Sequence, residues 1–177
     1  MGHPSFDPCD IPVTAVSGPA IGFPLGLGAE TVMVTCVSVG TPHAVIFAAE
    51  VSSARARQAG PLIAGHPRFP ERVNVSFASV LDRGSMRLEV WERGAGYTTS
   101  SGAASCAAAS AAHASGLVDD QVTVRMPGGD VEIAFAADGS LTLTGIVEQV
   151  AAGEFAPAYR TRLAGQQASS VRSATTD

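Results

Sequence analysis

The chain has no lysine: its eleven basic residues are all arginine, against sixteen acidic ones, and its formal net charge is −5. No basic run or stripe is present, so the electrostatic footprint of a nucleic-acid-binding protein is missing. Aromatic residues make up only 6% of the chain. The three cysteines, Cys9, Cys36 and Cys106, are odd in number and show no CxxC or Cys/His spacing. Neither a disulfide framework nor a zinc site is indicated, and three reduced thiols are expected. The opening MGHPSFDPCD carries no charged n-region or apolar h-region, so no secretory signal is expected. No apolar run approaches the ~18 residues of a membrane span. Together these absences lead to the expectation of a soluble, cytoplasmic protein without membrane or nucleic-acid partners.

What is present suits a globular domain. The composition is 46% apolar and 15% charged, and 177 residues suffice for one ordinary domain with a sizeable core. Residues 1–31, rich in proline and glycine, read as irregular. Thr31 to Val39 is a β-branched run, broken at Gly40-Thr41-Pro42 and followed by a second strand from Ala44 to Ala48. Ser52 and Ser53 can cap a short helix through about Gly60. In the next strand, Val73 to Leu81, Val73, Val75 and Phe77 alternate with Asn74 and Ser76, the mark of a sheet with two different faces. Asp82-Arg83-Gly84 then turns the chain back into Met86 to Glu92.

The stretch ERGAGYTTSSGAASCAAASAAHASG, residues 92–116, is the most informative. Glycines and a Ser/Thr cluster precede an alanine-rich helix from about Gly102 to Ser115, and Gly116 is a natural stop. A helix whose side chains are nearly all Ala, Ser or Gly is one that other elements approach closely, as when a sheet wraps it. Three more strands follow, Gln121–Met126, Asp130–Ala136 and Leu141–Thr144, with a last extended piece at Ile146–Ala151. The expected fold is α+β: a curled, mostly antiparallel sheet of about eight strands around a central helix. One domain is expected over residues 1–160, with a disordered tail over 161–177.

Several residues are candidates for chemistry. The mouth of the alanine-rich helix, Ser100-Ser101-Gly102, offers unpaired N–H groups and a positive dipole end suited to a carboxylate; an ordinary serine N-cap is the plainer alternative. His43 follows a break between strands, where it is either a proton carrier or merely a solvated turn histidine. Asn74 is a polar group on an apolar strand and needs a partner, structural or functional. His3, His66 and His113 have no converging partners in the sequence, and Cys106 reads as core.

In order and with natural spacing, these segments resemble the second half of diaminopimelate epimerase over roughly residues 1–157. Val37 to Val45, VSVGTPHAV, is similar to the family's VSMGNPHAV. Phe69 to Val75, FPERVNV, resembles FPxRTNV, and Glu92 to Ala107 resembles ERGxGETxACGTGACA. The resemblance implies two similar domains with a cleft between them, no cofactor and no metal. It also implies two cysteines that take and return the α-proton of an amino acid. Carried over residue by residue, it implies His43 and Glu92 as helpers at the reacting centre. It implies Asn74, Arg93 and the position of Thr41 as substrate-binding, and Gly102 and Ala103 as the backbone holding the α-carboxylate.

The departures from the pattern are as informative. Ser101 stands where the family keeps its catalytic cysteine, and its hydroxyl is a weaker acid that needs a base. Thr41 replaces the asparagine of GNPH, Tyr97 the glutamate of GET, and Ala103 the threonine of GTG. The family's first domain, with the other cysteine, has no counterpart here. Three readings follow for the resemblance. The chain is half of a split epimerase or racemase completed by a separate first-domain chain. Alternatively, it is a homodimeric isomerase or cyclase repurposed for another carboxylate or amino-acid-like substrate, or a non-catalytic remnant or binding module.

Overall fold

In the central strands apolar residues are buried at consecutive positions, as a sheet covered on both faces requires. His43 to Ile46 and Val75 to Ser79 are such runs. The computed structural model describes residues 1–163. Within the unit Met1–Ile146, nine strands and two helices follow one another. They are β1 (Phe23–Leu27), β2 (Glu30–Ser38), β3 (Pro42–Phe47), α1 (Ser53–Ala64), β4 (Asn74–Asp82), β5 (Ser85–Glu92), β6 (Gly96–Thr98), α2 (Gly102–Ala114), β7 (Gln121–Met126), β8 (Gly129–Phe135) and β9 (Leu141–Gly145). All belong to one sheet, ordered β1-β2-β3-β4-β5-β7-β8-β9, with β6 also paired to β5. Only β3 with β4 and β5 with β7 run parallel.

Each face of this sheet carries its own core. On one side β2 to β5 and β7 to β9 wrap α2, with Val37, Val45, Ala78, Leu88, Val90 and Ile133 meeting its alanines. On the other side α1 lies against β4, β5 and β6, and Ile63, Val34, Val75 and Phe77 belong to the core of that face. Because side chains alternate along a strand, Val45 and Ala78 point to α2 while Ala44 and Phe77 point to α1. The expected sheet around a central helix is therefore present, at the expected helix.

The differences from the sequence expectations have local causes. β1 lies inside the stretch read as irregular; Leu25 is buried there despite Pro24 and Gly26, and proline is tolerated at a sheet edge. β6 is a three-residue strand inside the Gly-rich loop. The count is thus nine, not about eight. The extended piece at Ile146–Ala151 joins no strand. In the second unit, from Val147 onward, residues 157–163 are helical, with Phe155 and Tyr159 packed against each other. The expectation of a disordered tail falls, from residue 164 on, outside the described residues.

Helix α1 runs on past Gly60, where a stop was expected, because that glycine is a contact rather than a terminator. A Cβ at Gly60 would lie 2.6 Å from both Cβ and Cγ of Trp91 on β5, so α1 sits on the sheet with no room for a side chain. The helix instead ends where the Gly65 N–H closes on Pro61 O. Alanine's helix propensity exceeds glycine's by about 1 kcal/mol, whereas overpacking a tight contact costs about 1–3 kcal/mol. Gly60→Ala is therefore expected to lower the urea midpoint without changing the slope. A raised midpoint would mean that α1 shifts off Trp91 at no cost.

Candidate active site

The parallel pairing of β3 with β4 sets His43 opposite Asn74. Antiparallel β5 then brings its C-terminal residue, Glu92, to the same end of the sheet, since Val75 pairs with Trp91. Side-chain alternation fixes the direction of all three. His43 shares its face with Val45, Asn74 with Ala78, and Glu92 with Val90, and those three apolar residues all pack toward α2. One edge of the sheet, on the α2 side, thus carries an imidazole, an amide and a carboxylate from three neighbouring strands.

Asn74 ties that edge together. Its Nδ2 donates to Pro42 O at 3.1 Å, and its Oδ1 accepts from the Arg93 N–H at 2.8 Å. One amide therefore joins the start of β3 to the end of β5 across β4. Just before it, Arg72 adopts φ 60, a left-handed conformation unusual for an arginine and a mark of local constraint. Arg93 also donates from NH1 to Glu71 O at 3.0 Å. Arg72, Trp91, Glu92 and Arg93, with Gly94, Gly96 and the end of α1, line an open cleft of about 470 Å³ on the α1 side of these strand ends, behind the face that carries His43 and Asn74.

His43 is 1% exposed. Its Nε2 lies 2.9 Å from Thr41 Oγ1, while its Nδ1 is buried with no partner among the described residues. Burial, reinforced by the nearby Arg93 guanidinium, pulls its pKa down to about 4. The ring is therefore neutral at pH 7, with one nitrogen open to accept or donate. Thr41, itself exposed, replaces an amide of the family pattern with a hydroxyl that holds this ring.

Ser101 stands at the N-terminus of α2 as its cap. Its Oγ accepts from the Ala104 N–H at a long 3.4 Å, and its own N–H points at Met126 Sδ at 3.4 Å. Beneath it the Ser105 hydroxyl donates to Ser101 O at 2.9 Å. Gly102 and Ala103 form the first turn; a Cβ at Gly102 would come within 3.3 Å of Leu143 on β9. The helix mouth is thus framed by β7 and β9. The bonds made by Ser101 run to a backbone amide and a thioether, not to a base. The plain N-cap is what the structure shows, and the cap uses one lone pair of the hydroxyl.

Two further polar groups are not site candidates from the sequence. Ser76 Oγ and Thr98 Oγ1 are buried without a hydrogen-bond partner among the described residues. Ser76 and Thr98 both pair with Val90, from opposite sides, and both share its α2-facing side. They form a second polar row, one pleat inward from His43, Asn74 and Glu92. Buried hydroxyls of this kind take a water or a ligand group. The signal was available in the alternation of β4, where Ser76 interrupts an otherwise apolar run, but not in the loop-like β6. Tyr97, by contrast, faces away: its hydroxyl donates to Glu89 Oε2 at 2.7 Å, and Arg57 lies over its ring. Two of the other three histidines are held locally, His66 by Gly26 O and the Arg68 N–H, His113 by Asp120 and Phe135. Cys106 is buried in the core, and burial raises its pKa to about 11.

Comparison with known proteins gives the family of the chain. The family profile described as diaminopimelate epimerase matches residues 35–150, which include β3, β4, β5 and both helices. The chain belongs to the diaminopimelate epimerase family. It is 42% identical over 154 residues to "Diaminopimelate epimerase 2" of Nostoc sp., covering 87% of this chain and 54% of that protein. It is 43% identical over 155 residues to "Diaminopimelate epimerase" of Pseudomonas entomophila, covering 87% and 56%. The chain thus spans a little over half the length of these curated relatives. Among solved structures, a probable proline racemase from Agrobacterium radiobacter with bound carbonate superposes with a TM-score of 0.53 at 19% identity. That match covers 77% of this chain and 51% of the other. A hydroxyproline epimerase from Agrobacterium vitis, with bound trans-4-hydroxy-L-proline, gives 0.52 at 17% identity, covering 70% and 44%. These two share the fold.

The depressed His43 value has a consequence for stability. An unfolded histidine titrates near 6.5, so between about pH 6.5 and 4 the unfolded chain binds a proton that the folded chain does not. Stability is expected to be full above pH 6.5 and to decline as pH falls toward 4, by up to about 3 kcal/mol. His43→Gln should flatten that part of the curve in urea titrations at pH 7, 6 and 5. An unchanged slope in the variant would place the titration elsewhere.

Proposed function

We propose that this chain is the second-domain half of a cofactor-independent amino-acid isomerase, acting by transfer of the α-proton. Its cleft is completed by a further domain or a second copy. The observation that carries this reading is the convergence of His43, Asn74 and Glu92 on one face at one sheet edge, in a family whose curated relatives are named as epimerases. The N-terminus of α2, with the free N–H groups of Gly102 and Ala103, suits the α-carboxylate, whose charge grows as the α-carbon loses its proton. Arg93 and Asn74 orient the remainder of the substrate, and Thr41 adds a hydroxyl at the rim. Glu92 is the carboxylate at these strand ends and acts as the proton acceptor or its helper.

Proton balance defines what is needed from outside. One group removes the α-proton on one side of the carbon, and a second group delivers a proton to the other side. Ser101 occupies one of these positions, and as a hydroxyl it works only with a base beside it. The opposing group belongs to whatever completes the cleft.

A second reading, a homodimeric isomerase or cyclase with a different substrate, is favoured by Thr41 and Ala103. The family motif has an amide and a hydroxyl at these two positions, and Ala103 leaves the first turn of α2 without that hydroxyl. Polar groups exchanged around the candidate site suit a carboxylate other than diaminopimelate.

Both readings are tested by following exchange of the α-hydrogen in deuterated water by NMR. Diaminopimelate and a panel of smaller amino acids serve as substrates, with the chain both alone and supplied with a relative's first half. Exchange confined to small amino acids selects the second reading, and none under any condition sinks both. In the active combination Glu92→Gln is expected to reduce exchange at least ~100-fold; a fully active variant removes Glu92 from the mechanism. Ser101→Cys is expected to preserve or raise the rate, because a thiol ionises far more readily than a hydroxyl. No response in a working assay would mean that the proton does not pass through this position.

A further inference from the structure

Between β6 and α2 three residues, Thr99, Ser100 and Ser101, belong to no strand or helix. Each of them nevertheless meets the end of β7 or the turn that follows it. The Thr99 carbonyl accepts from the Gly128 N–H at 2.7 Å. Gly128 is pressed so closely against the loop that a Cβ there would lie 2.9 Å from Thr99 O and 3.0 Å from Ser100 Cβ. Ser101 donates its N–H to Met126 Sδ at 3.4 Å. Three consecutive loop residues are thus held by two residues, Met126 and Gly128, from a later part of the chain.

Gly128 serves here by leaving room and not by its conformation, because its φ lies outside the left-handed region. Met126 combines two properties. It is 7% exposed and belongs to the core around α2, and its sulfur is a weak acceptor on a side chain apolar enough to be buried. Leucine fills much the same volume but accepts nothing. The Ser101 N–H goes to this sulfur, the Ala104 N–H to Ser101 Oγ and the Ser105 N–H to Ser101 O. The N–H groups of Gly102 and Ala103 are then the two in the first turn without an acceptor among the described residues.

We infer that Met126 and Gly128 are positioning residues for the mouth of α2. Gly128 sets how closely the loop lies to the turn after β7. The Met126 sulfur fixes the direction of the Ser101 backbone, and with it the Ser101 hydroxyl and the two open N–H groups. Both act through the loop, and neither takes part in proton transfer. The inference deepens the isomerase reading and rests on it for what Ser101 does; how Ser101 is held rests on the three contacts alone. Misplacing a reacting group by about 1 Å costs on the order of 100-fold in rate, so a loop without sheet or helix bonds of its own needs such a hold.

The first measurement is amide hydrogen exchange of the full-length chain by NMR, which needs no activity. Relative to intrinsic rates, the Ser101 amide is expected to be protected at least ~10-fold more than those of Gly102 and Ala103. Met126→Leu is expected to remove that difference while the amides of Ala107 to Ala111 keep their protection. Met126→Gln, whose Oε1 accepts on a side chain of similar length, is expected to restore it. Should Met126→Leu fail to fold, growth on norleucine replaces each methionine sulfur by a methylene at nearly constant shape, with the same loss expected. A Ser101 amide as open as its neighbours in the unaltered chain overturns the inference, and so does one that stays protected without the sulfur.

The second measurement is α-hydrogen exchange in the active combination. Met126→Leu and Gly128→Ala are each expected to lower kcat at least ~10-fold with KM changed less than ~2-fold, and Met126→Gln to recover most of the loss. Full kcat in Met126→Leu, or an equal loss in Met126→Gln, refutes the positioning role. If no combination exchanges the α-hydrogen, the isomerase reading falls, and the amide measurement alone decides whether Met126 and Gly128 hold the loop.

Discussion

Nine consecutive residues of α2, Ala104 to Ala112, are buried, and that burial on every side constrains the rest of the structure. A helix enclosed by a single curled sheet must have a thin surface, because strands on all sides approach its backbone. Alanine meets the requirement directly. Serine meets it only when its hydroxyl is satisfied within the helix, as Ser110 is by Cys106 O at 2.7 Å and Ser105 by Ser101 O. Larger side chains on the strands, Met86, Leu88, Val90 and Ile133 among them, fill the volume that the helix leaves. The large residues lie on the sheet and the small ones on the helix, so the packing is complementary without either element being amphipathic in the ordinary sense.

The same enclosure positions the helix mouth. With its sides covered, α2 can expose backbone N–H groups only at its first turn, where Gly102 is open and its missing Cβ leaves room for Leu143. The polar edge formed by β3, β4 and β5 lies on the face that wraps this helix. Asn74 holds that edge with both ends of its amide on backbone groups. Its structural and substrate-facing roles are not exclusive, since each end of an amide retains a further hydrogen-bonding position. A side chain that fixes two strand ends also fixes the direction of Glu92 and Arg93, which follow at once in the chain.

The sequence made the core of this arrangement legible because its signals were extreme. An alanine-serine run bounded by glycines, and alternation in β4 that separates Val75 and Phe77 from Asn74 and Ser76, each have few structural solutions. Where the signals were mixed, the reading slipped. β1 was hidden by Pro24 and Gly26, and β6 by the glycines around it, because both are edge or near-edge strands whose existence depends on a partner rather than on propensity. Gly60 read as a terminator because local sequence does not reveal that Trp91 lies against it. At the site, the candidates His43, Asn74, Glu92 and Arg93 came from motif resemblance, and the fold supplies the register that groups them. The orphaned hydroxyls of Ser76 and Thr98 could be seen only once Val90 was known to lie between them.

Replacing a thiol by a hydroxyl at the helix mouth alters what the site can do alone. A cysteine titrates near 8.5, whereas an alkyl hydroxyl is a far weaker acid, close to water. The positive end of α2 favours an anion by at most ~2 kcal/mol, equivalent to about 1.5 pH units and too little to close that gap. Ser101 is therefore a hydrogen-bonding group unless a base reaches it. Two groups on this face have the capacity: the Glu92 carboxylate and the unpartnered Nδ1 of a neutral His43. The lowered His43 pKa cuts both ways. It keeps the ring unprotonated and able to accept at pH 7, but a ring that holds a proton so weakly is a poor store for one. The Glu92 carboxylate at the same edge, which presents only acceptors when ionised, is the other partner on this face. Ser101 takes part in proton transfer only if one of these two groups reaches it.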